Sequence, residues 1–235
     1  CRHCRAGAQD RDYAGELTTD ECLRVLDSLT PETRPMIIWT GGEPMCRPDI
    51  LELVRAATGR GLRSVMAPCG ALVTRESLQE LKGAGVTACS FSLDGATAET
   101  HDAFRGVEGA FANVTSAMSV AAEIGMPFQV NTTVSRLNKD GLPLIRETAV
   151  RLGAGALDLF FLVPVGRGSA LRELSLSSED ADAVLRWAFE MDAQGPVRVR
   201  ETCAPQAVRV WHAAGCPGRM PTGCLGGRGF AFISH

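Results

Sequence analysis

The chain has 235 residues, 45% of them hydrophobic and 22% charged, with a formal net charge of −3. That length and apolar content suffice for a packed core and exclude a disordered chain. Twenty-four Lys and Arg against 27 Asp and Glu leave no basic footprint for nucleic acid, and no apolar stretch is long enough to span a bilayer.

In chain order, Cys1-Arg2-His3-Cys4 comes first. Its two thiols can reach one metal, as a zinc pair, a redox dithiol or part of an iron–sulfur site. Arg5 stands where haem attachment would require His. Thr18 or Thr19 is placed to cap a helix bearing Leu23, Leu26 and Leu29, which Thr30-Pro31 ends. Met36 to Trp39, between Pro35 and Gly41-Gly42, reads as a short buried strand. The alternation then repeats: helix 50–58, strand 62–67, helix 74–84, strand 88–93, helices 99–104 and 111–124, strand 128–134. A helix over 142–152, a strand over 157–163 and a last helix from Ser177 to Gln194 complete it. From Pro196 onward Gly and Pro are frequent, three cysteines occur and periodicity fades, so an irregular appendage is expected.

Strands alternating with helices argue a parallel α/β protein, in which ligands gather at loops after the strands' C-terminal ends. Those loops carry Thr40-Gly41-Gly42-Glu43-Pro44, Pro68-Cys69-Gly70 and Ser92-Leu93-Asp94-Gly95. The two glycines admit close backbone approach, and Glu43 offers a carboxylate to a cation such as an ammonium; a tight turn accounts for the glycines equally. Ser92 and Asp94 share one side of a strand and can bond a hydroxylated ligand, but Asp94 alone reads more simply as a turn or cap residue. Asn131 and Thr133 form another pair on one face, either polar lining or filler. His101 and His212 lack partners at metal-ligand spacing and read as ordinary polar residues, and Arg105 as an electrostatic close to a short helix. The phosphate-cradling and dinucleotide fingerprints are absent. Nine cysteines, an odd count in a long chain, point to a reducing cytoplasm rather than a disulfide framework. Cys22 and Cys89 read as small buried thiols.

Taken together, Cys1-Arg2-His3-Cys4, Gly41-Gly42-Glu43-Pro44 and Ser92-Leu93-Asp94-Gly95 resemble the radical S-adenosylmethionine enzymes over roughly residues 1–195. That family holds a [4Fe–4S] cluster on cysteines spaced C-x3-C-x2-C. Cys1 and Cys4 match the second and third; the first would lie four residues before Cys1, so the chain reads as a fragment that is inactive alone. The resemblance implies a partial parallel (β/α)6 TIM-like barrel over 1–195 with its first strand upstream. It implies S-adenosylmethionine as cofactor, with His3 near the adenine and Gly41, Gly42, Glu43 and Pro44 at the methionine ammonium. Ser92 would meet the ribose, with Asn131 near the fifth-strand polar position. Many relatives carry T-N-G or S-N-G where this chain has Pro68-Cys69-Gly70.

The tail, Thr202-Cys203-Ala204-Pro205 and the run from Gly223 to His235, looks like the radical enzymes that trim side chains of haem-type tetrapyrroles in the siroheme-dependent haem pathway and in nitrite-reductase haem synthesis. This implies that 196–235 begins a truncated SPASM-like extension for an auxiliary iron–sulfur cluster, with Cys224 as first ligand and Cys203 and Cys216 as candidates. The implied activity is that of an oxidoreductase or lyase. A 5′-deoxyadenosyl radical would drive decarboxylation or arm removal on a tetrapyrrole, with a donor such as ferredoxin or flavodoxin and no nucleic-acid or membrane partner. No side-chain acid or base is implied. Three rival readings stand beside it: a SPASM-type peptide maturase, a zinc-binding non-catalytic α/β protein using Cys1, Cys4 and tail cysteines, and a barrel hydrolase, for which neither triad nor histidine cluster is present.

Overall fold

The computed structural model describes residues 1–9, 11, 13–29, 35–217, 219–221, 223–224, 226 and 229–233. Thr30-Pro31, expected to end the first helix, and Leu225, Gly227, Arg228, Ser234 and His235 of the tail lie outside these residues. In chain order the described elements are α1 (Thr19–Ser28), β1 (Met36–Trp39), α2 (Ile50–Gly59), β2 (Arg63–Met66), α3 (Arg75–Ala84), β3 (Val86–Ser92), α4 (Ala98–Arg105) and α5 (Ala110–Glu123). There follow β4 (Phe128–Val134), α6 (Leu142–Arg151), β5 (Ala156–Phe161), α7 (Ser178–Gln194), β6 (Arg198–Thr202) and α8 (Ala207–Ala214). Among the described residues the sheet keeps the chain order from β1 to β6 and does not close on itself. β1, β2 and β3 pair in parallel, as do β4, β5 and β6, so within each group of three the strand ends that follow chain direction lie on one edge and present their exit loops there.

The chain folds as two compact units. One comprises Ala8–Phe91, Asn113–Phe128 and Ile233–His235. Its first helix starts where the capping chemistry dictates: Thr18 accepts the Glu21 N–H, and the Glu21 carboxylate accepts the Thr18 N–H. Thr74 and Ser77 repeat the device at α3. Leu26, Ala57 and Leu62 form a core patch against which Leu23, Leu29, Ile37 and Trp39 pack, and the Trp39 indole N–H donates to Ser64 at 3.0 Å. β1 departs from its expected burial. Only Ile37 and Trp39 face this patch, while Met36 and Ile38 are 48% and 39% exposed. A four-residue run too short to show alternation hid that one-sidedness.

The other unit comprises Cys1–Gly7, Ser92–Ala112 and Gln129–Phe232. Along β4, Val130, Thr132 and Val134 are fully buried, while Gln129, Asn131 and Thr133 alternate with them on a half-open face. The parallel register sets Asn131 opposite Asp158, and Asp158 opposite Arg200. β6 and α8 correct the expectation of irregular structure immediately after Pro196. β6 was concealed because Arg198, Arg200 and Glu201 outweigh Val199, its one buried apolar residue. Among the described residues, no helix is long and apolar enough to cross a membrane.

Candidate functional site

The cysteine loop sits in the second of these units, and backbone bonds shape it. The Cys4 N–H donates to the Cys1 carbonyl at 3.3 Å, and the Gly7 N–H donates to the Cys4 carbonyl at 3.3 Å. These turns keep the exposed Cys1 and the half-buried Cys4 on one loop, and none of the nine cysteines is joined in a disulfide. Two neighbours fasten it. The Arg2 N–H donates to the carbonyl of Arg105, the last residue of α4, at 2.9 Å. From the loop after β5, the Arg167 N–H donates to the Cys4 carbonyl at 3.1 Å, and Arg167 Nε to the Cys1 carbonyl at 2.9 Å. Gly166 makes the second attachment possible. Its φ is +57°, and a Cβ there would fall 2.1 Å from the Arg5 carbonyl oxygen, so neither the conformation nor the space admits a side chain.

His3 turns inward from the loop. Its ring stacks on Phe104 at 4.8 Å, and Nε2 lies 3.6 Å from Asp94 Oδ2, beyond hydrogen-bond reach. Burial holds its pKa below the ordinary value against the opposing pull of Asp94, and Nδ1 is buried without a hydrogen-bond partner.

Asp94 is the centre of what the sequence reading missed. Read most simply as a turn or cap residue, it is buried, only 1% exposed. Oδ2 accepts from Arg105 Nη1 at 2.8 Å and Oδ1 from the Thr133 N–H at 2.7 Å. Its backbone N–H donates to His101 Nδ1 at 3.0 Å, and its carbonyl accepts from Asn138 Nδ2 at 2.9 Å. His101 is therefore more than the ordinary polar residue that its spacing suggested. It is fully buried, and burial lowers its pKa to about 4. Arg105 does more than close a helix. Its carbonyl holds the cysteine loop while its guanidinium holds Asp94. The run Asp94-Gly95 followed by His101 and Arg105 was visible in sequence, but only spacing along α4, which places residues 101 and 105 on one face, could have linked them.

Ser92 and Asn131 lie in this same unit, at neighbouring positions of β3 and β4. The Leu93 N–H donates to the Asn131 carbonyl at 2.8 Å. The Asn131 side chain accepts from Gln129 Nε2 at 2.9 Å, and Gln129 belongs to a polar group in which Arg200 grips Asp158 at 2.6 and 2.9 Å.

Gly41, Gly42, Glu43 and Pro44 lie in the other unit. There Glu43 braces two loops with its two oxygens. Oε1 accepts from the Met45 N–H at 3.0 Å and Oε2 from the Cys69 N–H at 2.6 Å. The Pro68-Cys69-Gly70 segment thus contributes a backbone donor, which does not depend on the identity of its middle side chain. Carboxylate lone pairs remain for a cation. In the tail, Cys203 is exposed with φ +61°, Cys216 is buried and Cys224 is exposed. Among the described residues no three His, Cys, Asp or Glu side chains converge as a metal-binding group.

The family model described as the radical SAM superfamily matches residues 1–146. The AdoMet-dependent heme synthase of Methanosarcina barkeri (strain Fusaro) is 42% identical over all of this chain, which spans 70% of that protein. The PqqA peptide cyclase of Ruegeria pomeroyi is 32% identical, again over the whole chain, which spans 61% of it. Among solved structures, Streptococcus suis SuiB bound to its precursor peptide SuiA superposes with a TM-score of 0.71 at 13% identity, over 95% of this chain and 52% of that one.

Proposed function

Because the chain belongs to the radical SAM superfamily, we propose that it serves an enzyme that removes or decarboxylates side chains of a haem-type tetrapyrrole. The observation that carries this reading is the 42% identity to a heme synthase along the entire chain. The cysteine loop fits a [4Fe–4S] cluster in its donor chemistry. Cys1 and Cys4 supply two thiolates, and none of the bonds that fasten the loop uses a sulfur. When bound, that cluster and S-adenosylmethionine supply a 5′-deoxyadenosyl radical for hydrogen abstraction.

The chain's own residues bind and orient. Cys1 and Cys4 hold iron, and His3 offers its unspent Nδ1 to the adenine. Gly41, Gly42, Glu43 and Pro44 receive the methionine ammonium at the brace made by Glu43, while Ser92 and Asn131 meet the ribose. Cys203, Cys216 and Cys224 belong to an auxiliary iron–sulfur site in the segment after α7, and a small electron-transfer protein such as ferredoxin or flavodoxin supplies the electron. The protein's contribution is positioning and exclusion of water rather than proton transfer by a named side chain.

The test is anaerobic reconstitution of the full-length protein, with iron and sulfide counted, followed by reductant and S-adenosylmethionine. Formation of 5′-deoxyadenosine, with mass loss from added iron-coproporphyrin or decarboxylated siroheme, is the expected result. Zinc without iron overturns the reading. A second reading, modification of a peptide, is favoured by the 32% identity to a peptide cyclase. It takes over if 5′-deoxyadenosine forms but neither tetrapyrrole changes mass.

A further inference from the structure

The loop after β5 runs against the cysteine loop in a way that the ligand spacing alone does not require. Arg167 is the hinge of that contact. Its backbone N–H holds the Cys4 carbonyl at 3.1 Å while its side-chain Nε holds the Cys1 carbonyl at 2.9 Å. One residue therefore grips the backbone of both cysteines. Its neighbours give it no slack. Gly166 abuts the Arg5 and Cys4 carbonyls so closely that a Cβ would sit 2.1 and 2.8 Å from them, and a Cβ on Gly168 would lie 3.5 Å from the His3 carbonyl. Three consecutive residues thus lie along the carbonyls of Cys1, His3, Cys4 and Arg5, and they bring a permanently charged guanidinium to a loop whose thiols would be anionic as ligands.

We propose that Arg167 is a positioning residue for the iron–sulfur centre: it clamps the Cys1–Cys4 turn in its ligating shape and contributes the nearby positive charge that raises the reduction potential of the centre. The proposal rests on the reading of Cys1 and Cys4 as cluster ligands. Two effects follow, and they are separable. The grip on Cys1 slows loss of iron, since releasing that thiolate requires the turn to open. The charge favours the reduced, more negative centre. The grip on Cys4 comes from the backbone and survives any side-chain change at this position.

The experiment compares wild type, Arg167→Gln and Arg167→Lys in the anaerobically reconstituted full-length protein, with two readouts other than turnover. One is the rate of iron release to a chelator; the other is the midpoint potential from a reductive titration followed by electron paramagnetic resonance. Arg167→Gln should release iron about tenfold faster, the loss expected for one charge-assisted hydrogen bond, and its potential should move to more negative values. Arg167→Lys keeps the charge without the planar Nε donor. It should restore the potential while restoring the release rate only in part. Iron release and potential unchanged in Arg167→Gln overturn the proposal. Faster release in both variants with an unmoved potential overturns its electrostatic half. A wild-type protein that binds no iron and sulfide overturns instead the assignment of Cys1 and Cys4, a result distinct from either.

Discussion

Asp94, read from its motif as a turn or cap residue, ties together more elements of its unit than that reading suggests. Its carboxylate joins α4, through Arg105, to β4, through the Thr133 N–H, and its backbone bonds His101 and Asn138. Asp94→Ala leaves a guanidinium only 12% exposed without its counter-ion, so a loss of about 3–5 kcal/mol is expected, read from urea unfolding. Asp94→Asn, which still accepts from Thr133, should cost less. His101 makes the same region sensitive to acid. It accepts a hydrogen bond at Nδ1 and must stay neutral there, with a pKa of about 4 against 6.5 for a free histidine. The unfolded chain therefore takes up the proton first as pH falls. Stability contributed by neutral His101 is complete above about pH 6.5 and declines towards pH 4, by up to roughly 3 kcal/mol. Unfolding midpoints measured at pH 7 and 4.5 should fall steeply in wild type and less in His101→Gln. None of this was legible from residue types. Asp before Gly announces a turn, and only the fold decides whether that turn is wet or buried.

The helices were the most legible elements because their ends are written in local chemistry. Thr18 with Glu21 and Thr74 with Ser77 cap α1 and α3, and Thr97 with Thr100 caps α4 in the same reciprocal manner. The cap on α4 matters beyond its own turn, since His101 and Arg105 both project from that helix to Asp94. Thr97→Ala should cost about 1 kcal/mol and speed amide exchange at Asp94, whose N–H is held by His101; hydrogen exchange checks both. Strands were less legible, for two different reasons. β1 is half exposed where an apolar run suggested burial on both sides, and β6 is polar enough to pass for loop although it extends the β5 ladder through five residue pairs. In each case the missing information was the neighbour, because a strand's burial belongs to the sheet around it.

At the scale of the whole chain, the alternation of apolar runs and amphipathic helices was enough to specify a parallel α/β fold, and ordered loops at the strand exits were enough to bring in the family. What spacing could not show were the partners that fasten the cysteine loop, which come from far along the chain. Arg2 meets Arg105, and Cys1 meets Arg167 across 166 residues. That separation orders events during synthesis. The two thiols leave the ribosome long before residue 167, and the turn that presents them lacks those bonds until the stretch after β5 has emerged and folded back. If Cys1 and Cys4 hold iron as proposed, the stretch as far as residue 167 must be made before the Cys1–Cys4 turn is shaped to receive it. On that proposed reading loading would follow this folding step, and mutations near residue 167 would express themselves as failures of maturation before they appeared as failures of chemistry.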